Sequence, residues 1–402
     1  MGYSIYKKMN ILIITPRIPF PPFRGDKLKV FNIAKNLKKN NSVTILSFFR
    51  NIKEKKTISG LISQKIKVNV IRLTYLESFI NLFKSLFSNV PFQVSWYSSR
   101  KMHKKINELI TLEKFDVIYF HLIRTAQYIK YIDPEKKLLK VIDYTDSVSL
   151  YLERFYEIEK NPVKKFLLKL EAKRIAQYEK VANNFNNLFI CSPIDKLNLE
   201  KKGVNNIRLL PNGIDTEYFA PQPMGFDRNR IIFTGNLPYF PNYDAVHYFA
   251  NEILPLILLK RKESKFYIVG QKPPRKILKL AKENIIITGF VENIKEEYLK
   301  SAVNVAPMRF GAGTLNKVIE SIALGVPVVA SKMAISGLPE QLRKFVFTAD
   351  SPEEFSEKVI YILCNPQIRT DLLADGNKVI RELLSWDKIV NEFESYLISQ
   401  IN

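Results

Sequence analysis

The 402-residue chain has two cysteines, Cys191 and Cys364, and three histidines, His103, His121 and His247. Two distant thiols build neither a disulfide framework nor a metal cluster. Three scattered histidines argue against a catalytic zinc site. Long apolar runs are missing as well. The N-terminal apolar core is four residues, Ile11–Ile14, broken by Thr15-Pro16-Arg17, which is too short for a signal peptide. No run of 18 apolar residues occurs anywhere, so no segment reads as a spanning helix. Glycine and proline are too sparse for a fibrous or low-complexity chain. These absences predict a soluble, cytoplasmic protein.

Positive charge, by contrast, is abundant and unevenly placed. Residues 1–210 hold 39 Lys and Arg against 17 Asp and Glu, while residues 211–402 hold 23 against 22. A lysine-rich compositional bias explains an excess but not its confinement to one half. The other reading is an anionic partner for the first half: a membrane surface, a polyanionic substrate or nucleic acid.

Strand-like and helix-like segments alternate along the whole chain. Asn10–Thr15, Ser42–Phe48, 68–73, 116–120, 141–143 and 188–191 read as strands in the first half. The second half adds 230–234, 266–269, 285–287, 303–306 and 328–330. Such alternation predicts parallel, doubly wound sheets. The expected architecture is therefore α/β, with two Rossmann-like domains facing across a cleft. The first spans residues 1–221, the second 222–385, and a terminal helix over about 386–402 packs back on the first. Residues 153–183 read as the longest helix, and 221–229 as the linker. The stretch 79–105 places Phe79, Ile80, Phe83 and Phe87 at helical spacing before a basic cluster. It is read as an ordinary core helix, with a membrane-surface helix as the alternative.

The most informative stretch is FGAGTLNKVIESIALGVPVVAS, residues 310–331. Gly311 and Gly313 punctuate a loop, Thr314 is a fair N-cap, and an apolar stripe of Leu315, Val318, Ile319, Ile322 and Ala323 follows. Backbone N–H groups at a helix N-terminus favour an anion. Lys317 and Glu320 are three residues apart on another face. They suit a phosphate with a polyhydroxyl group behind it, or simply an exposed ion pair.

Taken with LPNGIDTEYFAP, TGNLPYFPNYDAVHYF, FYIVG, ITGFVENIKEEYLKSAVNVAPMRF and SWDKI, this stretch resembles family 4 retaining glycosyltransferases of the GT-B fold. The likeness is to the bacterial surface-polysaccharide branch and covers nearly the whole chain. It implies transfer of a sugar from a nucleotide-diphosphate donor to a glycan or lipid-linked acceptor. No Asp-x-Asp metal motif stands in a suitable place, so no metal or other cofactor is expected. By that resemblance Glu320 bonds the ribose hydroxyls, and Lys317 neutralises phosphate. Gly311 and Gly313 face the sugar and diphosphate, and Gly25 closes beneath it. His121 stands near the donor sugar, as a catalytic group with Lys317. Gly235, Asn236, Arg309 and Thr314 complete the expected donor set.

The chain also departs from the family pattern. Ala312 stands where the first of two motif glutamates belongs, and Asn236 and Pro241 replace an Arg and a Lys. The diphosphate then falls to Lys317, Arg309 or Arg24. A nucleotide-sugar epimerase of the same fold, or a basic nucleic-acid-binding protein, remain as alternative readings.

Overall fold

The computed structural model describes residues 8–222, 224–311 and 315–401, the side chains of 371–374 excepted. Its chain divides into two compact units, one of residues 1–211 with 386–402, the other of 212–385.

The first unit is built on seven strands: β1 (Asn10–Thr15), β2 (Ser42–Phe49), β3 (Lys67–Arg72), β4 (Val117–His121), β5 (Leu139–Thr145), β6 (Asn187–Ile190) and β7 (Ile207–Leu209). They run in the order β3-β2-β1-β4-β5-β6-β7, and every pairing is parallel. Parallel strands covered on both faces must be apolar throughout, and Ile11, Leu12, Ile13 and Ile14 are fully buried. The order reverses between β1 and β4. Ligands of open parallel sheets bind outside the strand ends at such a switch point.

The helix Trp386–Ile401 closes this unit. Phe393 meets Tyr119 and Phe189 edge-on, with ring centroids 5.8 and 5.0 Å apart. Glu394 accepts from the Asn40 and Asn41 amides at 3.1 and 2.5 Å.

The second unit has six strands: β8 (Asp227–Thr234), β9 (Lys265–Val269), β10 (Ile285–Gly289), β11 (Ser301–Ala306), β12 (Val328–Ala330) and β13 (Val346–Thr348). Their order is β10-β9-β8-β11-β12-β13, again all parallel. Here the switch point lies between β8 and β11.

Three expectations need correction. The boundary falls at residue 211 rather than 221, because Ile214 donates to the Leu384 carbonyl at 2.8 Å and Arg381 donates to the Thr216 carbonyl at 3.2 Å. Those bonds tie residues 214–216 to the second unit. The long helix of 153–183 is two helices, Val148–Ile158 and Pro162–Tyr178, then a short 3₁₀ turn. Pro162 cannot continue a helix, and Asn161 caps the new one by accepting from the Val163 and Lys164 N–H groups. Third, the helix within 79–105 is no core helix: its phenylalanines are exposed, and only Ser78 and Ser85 of Tyr75–Ser85 are buried.

Candidate active site

In the second unit the chain leaves β8 at Thr234 and turns through Gly235 and Asn236 into the helix Phe240–Tyr248. Gly235 donates to the Val269 carbonyl at 3.0 Å. A Cβ there would stand 2.8 Å from the Asn242 amide nitrogen, so only glycine lets the Asn242 side chain lie against the turn. The Asn242 amide donates to the Asn236 carbonyl at 3.1 Å. Its oxygen accepts from Lys317 Nζ at 2.8 Å.

Lys317 lies on the helix Asn316–Ala323. Its ammonium is buried and stands 3.7 Å over the Phe233 ring. Burial pushes its pKa from 10.5 down to about 7, with Glu320 opposing the shift. The exposed ion pair is thereby excluded: among the described residues Lys317 and Glu320 make no salt bridge, and the face they share is covered. Glu320 instead accepts from the Tyr298 hydroxyl at 2.9 Å, and that hydroxyl lies 2.6 Å from Thr234 Oγ1. Burial raises the Glu320 pKa, against the Tyr298 hydrogen bond and Lys317. Neither partner, a neutral amide for Lys317 and a hydroxyl for Glu320, carries a charge that would neutralise the group it holds.

Arg309 is placed differently. Its guanidinium grips Asp244 with two nitrogens, Nε at 2.9 Å, and lies 4.8 Å from the Tyr248 ring centre. Its charge is already matched, and the Asp244 hydrogen bond raises its pKa further. Gly311 has a φ of 151°, and a Cβ there would meet nothing within 4 Å. Gly313, Thr314 and Ala312 lie outside the described residues. The position before the first helical residue is Leu315, which makes no side-chain cap. The helix Phe240–Tyr248 thus gathers Gly235, Asn236, Arg309 and Lys317 around Asn242 and Asp244.

In the first unit the helix Gly25–Leu37 starts at the end of the loop after β1, and a Cβ on Gly25 would meet nothing within 4 Å. His121 ends β4 and is buried. Its Nε2 lies 2.8 Å from the Asp26 carbonyl, which can only accept, so Nε2 carries the proton. The opposite nitrogen, Nδ1, has no hydrogen-bond partner and sits 4.0 Å from Asp143. Burial lowers the His121 pKa, against the pull of Asp143, so the ring is neutral at pH 7.

Sequence reasoning missed two parts of these sites. One is the Asn242 and Tyr298 support just described. The other is a buried cluster under His121. Lys29 Nζ lies 2.8 Å from Asp143 Oδ2 and donates to Cys191 Sγ at 3.3 Å, while Tyr119 donates to Asp143 at 2.6 Å. The signal was there: Lys29 shares the helical face of Ile33 and Leu37, and Asp143 sits in an apolar strand.

Residues 228–365 match the family model of glycosyl transferases group 1, a segment that contains Gly235, Asn242, Arg309, Lys317 and Glu320. An uncharacterized 44.6 kDa protein in the cps region of Klebsiella pneumoniae is 21% identical over 372 residues, covering 87% of this chain and 90% of that protein. Anabaena HepE in complex with UDP and glucose is similar in structure, with a TM-score of 0.69, 14% identity, and coverage of 97% of this chain and 99% of that one. Sucrose-phosphate synthase from Thermosynechococcus elongatus gives a TM-score of 0.72, 16% identity, and coverage of 98% and 99%. The fold is GT-B.

Proposed function

We propose that this chain is a retaining glycosyltransferase that uses a nucleotide-diphosphate sugar and serves surface-polysaccharide or glycolipid assembly. The observation that carries this is the glycosyl transferases group 1 match, within which Lys317 and Glu320 stand at the sheet's switch point. Lys317 meets the diphosphate and Glu320 the ribose hydroxyls. The UDP complex of HepE makes a uridine nucleotide the first donor to try. The relative in a cps region supports the polysaccharide role.

The chemistry needs no protein nucleophile. The bond between sugar and phosphate breaks while the acceptor hydroxyl attacks from the same face, and its proton passes to the departing phosphate oxygen. Charge grows on the diphosphate, where Lys317 and the backbone N–H groups of the Gly311 loop stabilise it. A glycan or lipid-linked acceptor belongs to the first unit, whose surplus of positive charge suits peripheral contact with an anionic membrane.

Calorimetry with UDP and other nucleoside diphosphates tests the donor site, and NMR of the anomeric proton in the product tests retention. Absence of binding by every nucleoside diphosphate overturns the proposal. An inverted product overturns the retaining part alone.

A further inference from the structure

We infer that the first unit docks on an anionic lipid bilayer through the outward faces of two helices, Tyr75–Ser85 and Pro162–Tyr178. The inference deepens the membrane contact proposed above and rests on that reading only for its purpose; the surface stands on its own observations.

The helix Tyr75–Ser85 is amphipathic but inside out. A capping box of Thr74 and Glu77 starts it. Its polar side faces the protein: Ser78 Oγ donates to the Trp96 carbonyl at 2.9 Å, and Asn81 donates to the Ser98 carbonyl at 2.8 Å. Its apolar side faces out. Leu76, Phe79, Ile80 and Phe83 follow the i, i+3, i+4, i+7 spacing of one helical stripe and are 70, 58, 46 and 64% exposed.

The second helix also turns apolar residues outward, with Val163, Phe166 and Leu167 exposed while Ala172 and Ile175 are buried. The two are joined where Arg174 donates to the Ser85 carbonyl at 3.1 Å and lies 4.8 Å from the Phe92 ring centre. Two apolar stripes on neighbouring helices are more than a soluble surface ordinarily carries.

Charge selects the occupant. Residues 160–174 carry five lysines and one arginine against one carboxylate, Glu171. That carboxylate is occupied by the Phe92 and Gln93 N–H groups, at 3.1 and 3.3 Å. Lys164, Lys169 and Lys173 are exposed beside the apolar residues. A second copy of the chain would bring lysine against lysine. An anionic bilayer takes the phenylalanines into its acyl boundary and the lysines among its headgroups.

The two tryptophans provide the readout. Trp96 packs edge-on against Phe79 with ring centroids 5.1 Å apart, and Trp386 is buried in the terminal helix. In the full chain carrying Trp386→Phe, Trp96 emission should shift to the blue on adding vesicles of phosphatidylcholine with phosphatidylglycerol. Phosphatidylcholine alone should leave it unmoved, and salt should reverse the shift. Phe79→Ser with Phe83→Ser should weaken partitioning, read by sedimentation with vesicles, at least about tenfold. Lys164→Gln with Lys169→Gln should weaken it several-fold. Leu259→Ser, an exposed apolar change in the second unit, should not.

Equal binding to neutral vesicles, or binding indifferent to the phenylalanine variants, overturns the inference. So does a wild-type dimer in gel filtration that the phenylalanine variants dissociate. Calorimetry with UDP and the other nucleoside diphosphates on the same protein keeps the readings apart. Vesicle binding without nucleotide binding sinks the transferase; nucleotide binding without vesicle binding sinks only the docking surface.

Discussion

Lys317 donates to Asn242 Oδ1 at 2.8 Å, joining two residues 75 positions apart in the chain. An amide positions a lysine without neutralising it. The segment where the resembled family carries an Arg and a Lys, and this chain has Asn236 and Pro241, thus supplies a holder for a different cation. Arg309, clamped to Asp244 and half exposed, is the poorer candidate.

Lys317→Ala should therefore weaken a nucleoside diphosphate by about 1.5–3 kcal/mol, the range of a charge-assisted hydrogen bond. A monophosphate should lose less if, as proposed, the second phosphate is the charge that Lys317 meets. Arg309→Ala should change either affinity by less than about 1 kcal/mol, as for an exposed pair. Calorimetry on the two variants separates them, and equal effects would remove the distinction.

The depressed Lys317 pKa gives a sign to the pH dependence. With a folded value of about 7 against an ordinary 10.5, the unliganded lysine loses its proton as pH rises through 7. A bound diphosphate restores it, so binding takes up a proton above that pH. Affinity should fall by as much as about tenfold per pH unit from pH 7 upward, and Lys317→Met should flatten the slope. Stability runs the other way. The unfolded chain holds the extra proton between about pH 7 and 10.5, so folding strengthens across that window. The advantage of Lys317→Met in thermal unfolding should be largest below pH 7 and vanish near 10.5.

Much of this was legible in the sequence, for identifiable reasons. β1 and β12 were found to the residue, because short apolar runs bounded by breakers have little freedom. β13 was missed, being three residues of which only Val346 is buried. The Lys317 and Glu320 spacing showed that they share a helix face, but not that Asn242, Phe233 and Tyr298 cover it, since those come from distant segments. Phe79 and Phe83 were misread for a related reason. Helical spacing defines a stripe and not the side it faces, which here was decided by Ser78 and Asn81.

Glu320 should answer to the ribose rather than to the phosphates. Glu320→Gln keeps an oxygen for the Tyr298 hydroxyl but removes the charge, at a cost of about 1.5–3 kcal/mol in any nucleotide that presents ribose hydroxyls. Monophosphate and diphosphate should weaken alike, and a 2′,3′-dideoxy nucleotide should bind wild type and variant equally. A dideoxy nucleotide that also weakens would place the ribose elsewhere.

His121 offers the last test, because its geometry admits two roles. Its Nε2–H holds the Asp26 carbonyl at the start of the helix that follows Gly25, at 2.8 Å. Asp26 is itself fixed: burial opposes its charge, but Arg17, Arg24 and Arg124 outweigh this and hold its pKa at about 2. If His121 meets the donor sugar, His121→Ala should lower turnover at least about 100-fold and leave nucleotide affinity in the second unit unchanged. His121→Gln decides between contact and positioning, since its amide can still donate to Asp26. Recovery of turnover in that variant makes His121 a brace for the Gly25 turn, and continued loss makes it a group at the reacting sugar. Its lowered pKa adds a readout of folding. The unfolded chain protonates the imidazole near pH 6.5 while the folded one does not, so wild-type stability should fall as pH drops through that value. The glutamine variant should lose that part of the slope. Unchanged turnover in both variants, with the acid slope still altered, would make His121 a packing residue only.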